Sequence, residues 1–265
     1  MDLTYNTVTR ARPSISPADL PRIWPLAKPR DIAIEEKQLF KEHLKACDAG
    51  DLQHIQAELI RCRKRNDYFV MTHCKTKDEH DAITPVKRFP RKAYIARLLQ
   101  VAAVEKKLAI PKSRQIMVSW TFVCHFLHMA TFFSHRLIFF QSKKDDDAAA
   151  MIDRAKHVYE NLPWWLKEAA PLKRPLHKLP YNKIMFANGS LIWGIPQGQD
   201  VVRQHTASGI LGDEFAFQNQ AEEAWTAMKP TVDGGGQVIL VSTANGKNFF
   251  YQVCFDKLDD ANKSF

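Results

Sequence analysis

The amino-acid sequence contains no run of about 18 apolar residues, the length that a membrane-spanning helix requires. Its first residues, MDLTYNTVTRARPS, lack the hydrophobic core of a secretory signal peptide. Cysteine is also scarce: the five cysteines are odd in number, include no Cys-x-x-Cys pair and predict no disulfide framework. We therefore expect a protein of a reducing cytoplasm, with no membrane as a partner.

The composition is ordinary for a folded protein, but the charge is not balanced. Apolar residues make up 45% and charged residues 25% of the chain, which excludes collagen-like, disordered and low-complexity proteins. At about 150 residues per domain, the length of 265 residues allows one large domain or one domain with an appendage. The 38 Lys and Arg residues exceed the 29 Asp and Glu residues, so the net charge is +9, which favours a polyanionic partner such as nucleic acid.

The N-terminal part differs in pattern from the rest of the chain. Residues 1–30 contain five prolines and little periodicity, which predicts an extended arm. In residues 33–66 the apolar positions recur every three or four residues, and Asp48-Ala49-Gly50-Asp51 divides this stretch into two predicted helices. We assign residues 1–70 to an arm and a helical extension, and residues 71–265 to the main domain.

A zinc site is one possible use of Cys62, His73, Cys74 and His80, since cysteine and histidine are the common ligands of zinc. The spacing of these residues matches no standard zinc motif. The sequence therefore favours ordinary buried or surface roles for them.

After a predicted loop at residues 78–90, short apolar strands alternate with helical stretches. Strands are predicted at residues 108–110, 136–141, 208–211 and 237–241, and helices at 119–133, 145–161 and 220–228. Apolar runs on both sides of Asn188-Gly189 predict a β-hairpin there. This alternation is typical of an α/β fold in which helices flank a mainly parallel sheet.

The loop after the first of these strands is a candidate anion site. Its sequence is IPKSRQIMVSW, and a helix that begins there directs free backbone N–H groups at a ligand. The loop does not match the phosphate-binding pattern Gly-x-x-x-x-Gly-Lys-Ser/Thr, because Met117 replaces the second glycine and Val118 the lysine. Met117 must avoid a positive φ or accept a cost of about 1–2 kcal/mol.

Other side chains of this loop still suit a nucleotide. Ser119 keeps the position of the hydroxyl that binds magnesium, and Lys112 and Arg114 place cations at the start of the loop. A basic loop between a strand and a helix also occurs without any ligand. The segment by itself leaves both interpretations open.

Two later strands also end in polar residues. Asp213 and Glu214 follow the predicted strand at residues 208–211; in P-loop enzymes the first such acid holds Mg²⁺ and the second polarises the attacking water. Helix-initiating acids are the competing interpretation. The segment at residues 242–246, Ser-Thr-Ala-Asn-Gly, supplies hydroxyl and amide groups for a γ-phosphate. We expect the three segments to meet, because open α/β sheets bind ligands at the carboxyl ends of their strands.

In their order these segments resemble the ATPase domain of the large terminase subunit of tailed bacteriophages. The similar stretches span residues 70–255 and are Lys112-Ser113-Arg114-Gln115 with Ser119, Gln141-Ser142-Lys143, Asn161-Leu162-Pro163, Phe186-Ala187-Asn188-Gly189-Ser190, Asp213-Glu214 and Ser242-Thr243-Ala244-Asn245-Gly246. In that family the working cation stands at the start of the loop, so the missing lysine is expected. The resemblance implies an ASCE-type P-loop NTPase fold, with residues 71–265 as the ATPase domain.

The resemblance also implies roles for individual residues, with ATP and Mg²⁺ as substrate and cofactor. Lys112 and Arg114 would contact the β- and γ-phosphates. Ser119 and Asp213 would hold Mg²⁺, and Glu214 would activate the attacking water.

Three further residues receive roles in this way. Arg203 would be an arginine finger that acts on the ATP of a neighbouring subunit, although an arginine that only ties its loop to local carboxylates is the competing interpretation. Thr243 and Asn245 would couple hydrolysis to movement. The nucleotide-binding set implied by the resemblance is Lys112, Ser113, Arg114, Gln115, Ile116, Met117, Val118, Ser119, Thr243 and Asn245.

The implied function is ATP-driven packaging of double-stranded DNA into a procapsid, in the cytoplasm of an infected bacterial host. The implied partners are duplex DNA, the portal protein, the small terminase subunit and further copies of this chain in a ring, a pentamer by resemblance. No acidic cluster follows the coupling segment, so we expect no nuclease activity from these residues. Two alternatives are a helicase-like or repair DNA-dependent ATPase and a non-hydrolysing DNA-binding assembly protein with a decayed loop.

Overall fold

The computed structural model describes residues 34–198 and 201–255, so the arm predicted at residues 1–30 lies outside the described residues. The described chain opens with helices α1 (Ile34–Asp48), α2 (Leu52–Lys64) and α3 (Asn66–His73). Asp51 caps α2: one carboxylate oxygen accepts hydrogen bonds from the backbone N–H groups of Gln53 and His54, each 3.0 Å long. The predicted break between two helices is therefore confirmed.

A short hairpin and a helix precede the central sheet. Strands β1 (Lys75–Lys77) and β2 (Val86–Arg88) pair antiparallel, and helix α4 (Ala93–Ala102) follows them. The sequence pattern predicts only a loop in this region, and α4 was missed. The buried residues of α4 are Ile95, Leu99 and Ala102, which have helical spacing, but the helix is only 10 residues long and its periodic signal is correspondingly weak.

Six strands form the central sheet. In chain order they are β3 (Lys107–Pro111), β4 (Leu137–Ser142), β5 (Lys183–Met185), β6 (Leu191–Pro196), β7 (Gly209–Gly212) and β8 (Gln237–Ser242). In space the order is β3-β8-β7-β4-β6-β5. Only β5 is antiparallel to its neighbour, since Asn188-Gly189 turns the chain between β5 and β6 as predicted.

Helices cover both faces of this sheet. One face packs against α5 (Val118–Phe132), α6 (Asp145–Glu160) and α7 (Trp164–Ala169). The other face packs against α8 (Val201–Gln204), α9 (Ala221–Asp233) and α10 (Phe249–Phe255). Two 3₁₀ helices, Leu176–Lys178 and Phe215–Phe217, lie in the connections. The predicted α/β architecture with a mainly parallel sheet is confirmed.

The central strands are buried on both sides, which explains their unbroken apolar sequences. In β8, Ile239 and Val241 pack on the α5 side, whereas Val238 and Leu240 pack on the α9 side. The core on the α5 side also contains Phe69 of α3. The helical extension and the sheet therefore share one core across the predicted boundary at residue 70.

Within residues 34–198 and 201–255, no helix is both long and apolar enough to cross a lipid bilayer.

Candidate active site

The three predicted segments follow three strands that are neighbours in the sheet. Lys112 follows β3, Asp213 follows β7, and Thr243 follows β8, which lies between the other two strands. Because β3, β8 and β7 are parallel, their carboxyl ends lie at the same edge of the sheet. The expected meeting of the three segments at this edge is therefore what the structure shows.

One contact across the site joins a cation to a carboxylate. The Nζ atom of Lys112 lies 2.9 Å from Oε1 of Glu214, and the Lys112 side chain is only 9% exposed. The backbone N–H of Lys112 donates to the Ser242 carbonyl over 2.9 Å, which fixes the start of the loop to the end of β8. Burial opposes ionisation of Glu214, but the hydrogen bond and charge of Lys112 outweigh it and hold the pKa of Glu214 below its usual range.

A second contact joins the two residues expected to hold magnesium. Ser119 lies in the first turn of α5, and its hydroxyl donates to Oδ1 of Asp213 over 2.9 Å. Asp213 is buried, and this burial raises the pKa of Asp213 although Lys112 and Ser119 favour its charged form. A hydroxyl and a carboxylate are oxygen ligands of the kind that Mg²⁺ prefers, so the pair suits that ion.

The coupling segment holds the other oxygen of Glu214. The Thr243 hydroxyl donates to Oε2 of Glu214 over 3.2 Å, and the Ser242 hydroxyl lies 3.5 Å from the same oxygen. Asn245 does not reach Glu214; its amide donates to the carbonyl of Ala216 over 2.9 Å, so it supports the turn that carries Glu214. Thr243 thus contacts the Glu214 carboxylate directly, whereas Asn245 contacts only the backbone of the turn that follows Glu214.

Two residues outside the predicted set support the same turn. Ser242 Oγ accepts a 3.0 Å hydrogen bond from the Ala216 N–H, and the Asn248 amide donates to the Ala216 carbonyl over 2.7 Å. Ser242 lies in the segment singled out from the sequence, but Asn248 follows it. No sequence signal marks Asn248, because its role depends on the turn of another strand.

The phosphate-loop candidate adopts a left-handed conformation at two positions. Gln115 has a φ of 61° and Met117, at the start of α5, a φ of 63°. Met117 therefore accepts the backbone cost expected from the sequence rather than avoiding it. The Met117 carbonyl accepts hydrogen bonds from the backbone N–H of Thr121, at 2.9 Å, and from its hydroxyl, at 2.8 Å. Helix α5 thus holds the strained residue in place.

The side chains of this loop divide into two groups. Ser113, Arg114 and Gln115 are exposed, whereas Ile116 and Val118 pack into the core on the α5 side. The apolar side chains of Ile116 and Val118 do not suit a phosphate, so these two residues offer it only their backbone N–H groups. Arg114 is in solvent at the loop surface, so Lys112 is the cation that the fold directs at Glu214.

Tyr94 fastens the loop to the preceding helix. Its hydroxyl donates to the carbonyl of Ile116 over 2.9 Å, so the contact joins α4 to the loop between β3 and α5. The exposed ring of Tyr94 lies at the start of α4, beside the loop.

Arg203 lies on the short helix α8. It lines a small cavity of about 330 Å³ together with Thr226, Pro230 and other residues of α9. This cavity is not lined by Lys112 or by the acidic pair. The structure thus brings Lys112, Ser119, Asp213, Glu214 and Thr243 together, and Arg203 lines the smaller cavity.

A much larger cavity, of about 1110 Å³, lies among α1, α3 and α4. None of the residues expected to bind nucleotide lines it. At the candidate active site Lys112 is paired with Glu214, whose side chain is 39% exposed.

Comparison with known proteins establishes the fold. No family model matches the sequence. The crystal structure of the HK97 bacteriophage large terminase matches with a TM-score of 0.56 and 11% identity, over 74% of this chain and 40% of that protein. The Thermus phage P74-26 large terminase ATPase domain matches with a TM-score of 0.44 and 19% identity, over 56% of this chain and 63% of that chain. The HK97 match shows that the chain shares its fold with part of that large terminase.

Proposed function

We propose that this chain is the ATPase motor domain of a phage DNA-packaging terminase, which hydrolyses ATP to move double-stranded DNA into a procapsid. The observation that carries the proposal is the meeting of Lys112, Ser119, Asp213 and Glu214 at the carboxyl ends of neighbouring parallel strands. The fold shared with the HK97 bacteriophage large terminase supports the same conclusion. The match covers 40% of that protein, so the packaging activity of a whole terminase is part of the proposal.

In this proposal Lys112 changes partners during the reaction. It leaves Glu214 and binds the β- and γ-phosphates of ATP, while the backbone N–H groups of the loop at residues 113–118 contact the phosphate oxygens. Arg114 adds a second positive charge from the solvent side. The cation and the amides then stabilise the negative charge that develops on the transferred phosphoryl group.

The acidic pair supplies the remaining chemistry. Ser119 and Asp213 would hold Mg²⁺, which neutralises charge on the phosphate oxygens when bound. Glu214, released by Lys112, orients the attacking water and accepts its proton. Thr243 keeps a hydrogen bond to Oε2 of Glu214, so the carboxylate retains its direction when Lys112 departs. Asn245 transmits the change in Glu214 through its hydrogen bond to the Ala216 carbonyl.

Assembly completes the proposed motor. Arg203 lies outside the cluster around Lys112, which fits an arginine finger that reaches the ATP of the neighbouring subunit in a pentameric ring. The partners of the ring are duplex DNA, the portal protein and the small terminase subunit, in the cytoplasm of the bacterial host. Residues 71–265 form the ATPase domain and residues 1–70 its N-terminal extension. The net charge of +9 suits binding to the DNA backbone.

The decisive test is ATP hydrolysis by the purified chain with and without Mg²⁺. We expect Mg²⁺-dependent turnover, and a loss of at least about 100-fold in Glu214→Gln, since this change removes the group that positions and activates water. Glu223→Gln, on the exposed first turn of α9, is the matched control and keeps full activity. Unchanged turnover in Glu214→Gln would refute the assigned role.

DNA and portal protein separate the packaging function from its alternatives. A packaging motor is stimulated by portal-bearing procapsids in the presence of duplex DNA, whereas a helicase-like or repair ATPase responds to DNA alone. Calorimetry with a non-hydrolysable ATP analogue and Mg²⁺ tests the third possibility. Absence of any heat of binding would identify a non-hydrolysing assembly protein.

A further inference from the structure

A buried carboxylate lies at the centre of the N-terminal helices, far along the chain from the acidic pair of the active site. Glu58 of α2 is fully buried. Its Oε1 atom accepts hydrogen bonds from Nε2 of His73, over 2.9 Å, and from the hydroxyl of Tyr68. Its Oε2 atom lies 2.9 Å from Nε2 of His43 and 3.4 Å from the guanidinium of Arg61. Two imidazole rings thus converge on one carboxylate.

Two cysteines lie beside the same group. The ligand atoms of Glu58, Cys62 and His73 are all buried and lie within 4.8 Å of one another. The Sγ atom of Cys47 is 3.9 Å from Nε2 of His43. A thiol, two imidazoles and a carboxylate in one buried cluster are the ligand types that zinc prefers, whereas Mg²⁺ and Ca²⁺ prefer oxygen alone.

The helices place these side chains by simple periodicity. His43 and Cys47 are one turn apart on α1, and Glu58 and Cys62 are one turn apart on α2. His73 is the last residue of α3. Three helices therefore direct potential metal ligands toward one another, as a structural metal site requires.

The cluster differs from the set suggested by the sequence. Cys62 and His73 belong to both, but Cys74 is buried beside Cys124, and His80 is exposed in the loop between β1 and β2. In the structure, Glu58 and His43 belong to the cluster, and Cys74 and His80 do not. The spacing along the chain could not indicate this set, because its members come from three packed helices.

We propose that His43, Glu58, Cys62 and His73 bind one structural Zn²⁺ ion that joins α1, α2 and α3. Zinc bonds to nitrogen, oxygen and sulfur are about 2.0–2.3 Å long, so ligand atoms of a tetrahedral site lie between about 3 and 4 Å apart. The ligand atoms of Glu58, Cys62 and His73 already lie within 4.8 Å of one another. Nε2 of His43, 2.9 Å from Oε2 of Glu58, must turn toward the other two residues to become the fourth ligand. The Cys62 thiol loses its proton to solvent when the Zn–S bond forms.

The site is independent of the proposed ATPase chemistry, so its test needs no nucleotide. The purified full chain is stripped with a chelator, checked for retained helix by circular dichroism, and titrated with Co²⁺ and then Zn²⁺. We expect one equivalent of Co²⁺ to produce the absorption of a tetrahedral ion together with the charge-transfer band of a Co–thiolate bond. One equivalent of Zn²⁺ should remove both signals.

Substitutions identify the ligands. Cys62→Ser should abolish the Co–thiolate band and weaken Zn²⁺ binding more than about 100-fold, beyond the 10- to 100-fold effect typical of a residue that only supports a ligand. The partly buried His43→Gln provides a second test if Cys62→Ser does not fold, and should weaken Zn²⁺ binding to a similar degree.

Cys254→Ser and His80→Gln are matched controls outside the cluster, and both should keep the Co–thiolate band and the zinc affinity. A folded wild-type chain that binds neither metal ion would overturn the proposal and leave Glu58 as a hydrogen-bonding centre only. Retention of the thiolate band in folded Cys62→Ser would equally exclude the assigned ligand set.

Discussion

Lys112 and Glu214 are separated by 102 positions in the chain, yet their side chains meet in a 2.9 Å ion pair at the edge of the central sheet. The pair places the cation of the phosphate-loop candidate against the carboxylate expected to activate water. In the proposed mechanism Lys112 and Glu214 stay paired until a ligand with more negative charge binds. A triphosphate competes for Lys112, so nucleotide binding and release of Glu214 are one event in the proposed mechanism.

Replacing Lys112 tests this relationship. Lys112→Ala should reduce ATP turnover by about 100- to 1000-fold, since a positioned cation in a water-poor site stabilises developing negative charge strongly. Arg114→Ala should have a smaller effect, because the exposed guanidinium interacts through water. Steady-state hydrolysis assays on both variants, with exposed Lys64→Ala as the control, measure the difference. A larger effect of Arg114→Ala would assign the working cation to Arg114 instead.

The Thr243 hydroxyl should contribute to the rate of ATP hydrolysis and not to the binding of ATP. Thr243→Val keeps the side-chain shape but removes the hydrogen bond to Oε2 of Glu214. A hydrogen bond to a charged group is worth about 1.5 kcal/mol or more, which predicts a decrease in kcat of about 10-fold with little change in KM. Thr226→Val, which loses only a contact within α9, is the control. A raised KM with an unchanged kcat would contradict this role.

The folded chain should be more stable with glycine in place of Gln115. Its φ of 61° costs a residue with a Cβ about 1–2 kcal/mol, whereas glycine adopts this conformation freely at an entropic cost of about 0.5–1 kcal/mol. We expect Gln115→Gly to raise the free energy of unfolding by about 0.5–1 kcal/mol, as measured by urea denaturation. Gln115→Ala keeps the strain and should show no such gain, so equal stability of the two variants would argue against a strained loop.

Burial of His125 predicts a loss of stability in acid. Burial lowers the pKa of His125 from 6.5 to about 4, and its ring nitrogens contact only neutral groups, Asn66 and Gln237. The unfolded chain therefore binds the proton first as the pH falls below 6.5, and stability is lost from there toward about pH 4. Between pH 6.5 and pH 5 this one residue should cost about 2 kcal/mol.

Urea denaturation across this pH range measures the effect of His125. His125→Gln should reduce the slope of the unfolding free energy against pH, whereas exposed His80→Gln should leave the slope as in the wild type. Part of the slope remains in His125→Gln, because burial also lowers the pKa of His128 to about 4. If His125→Gln and the wild type lose the same free energy between pH 6.5 and pH 5, another group is responsible for the acid sensitivity.

Local sequence patterns determined many of the elements and several of their ends. The apolar stretch at residues 119–133 predicted α5, the stretch at residues 145–161 with its three N-terminal aspartates predicted α6, and Asn188-Gly189 predicted the turn between β5 and β6. The polar residues that follow β3, β7 and β8 indicated where a site would form. These features depend on dihedral preferences and on the spacing of neighbouring residues, which are present in the sequence itself.

The tertiary structure alone decided which distant groups meet. Insertion of β8 between β3 and β7 brought Thr243 to Glu214, and packing of α5 allowed Met117 to keep a costly backbone conformation. Packing of α1, α2 and α3 gathered His43 and His73 around Glu58. Such contacts arise because burying the apolar faces of all elements selects one arrangement, and no local preference along the chain records which residues that arrangement will pair.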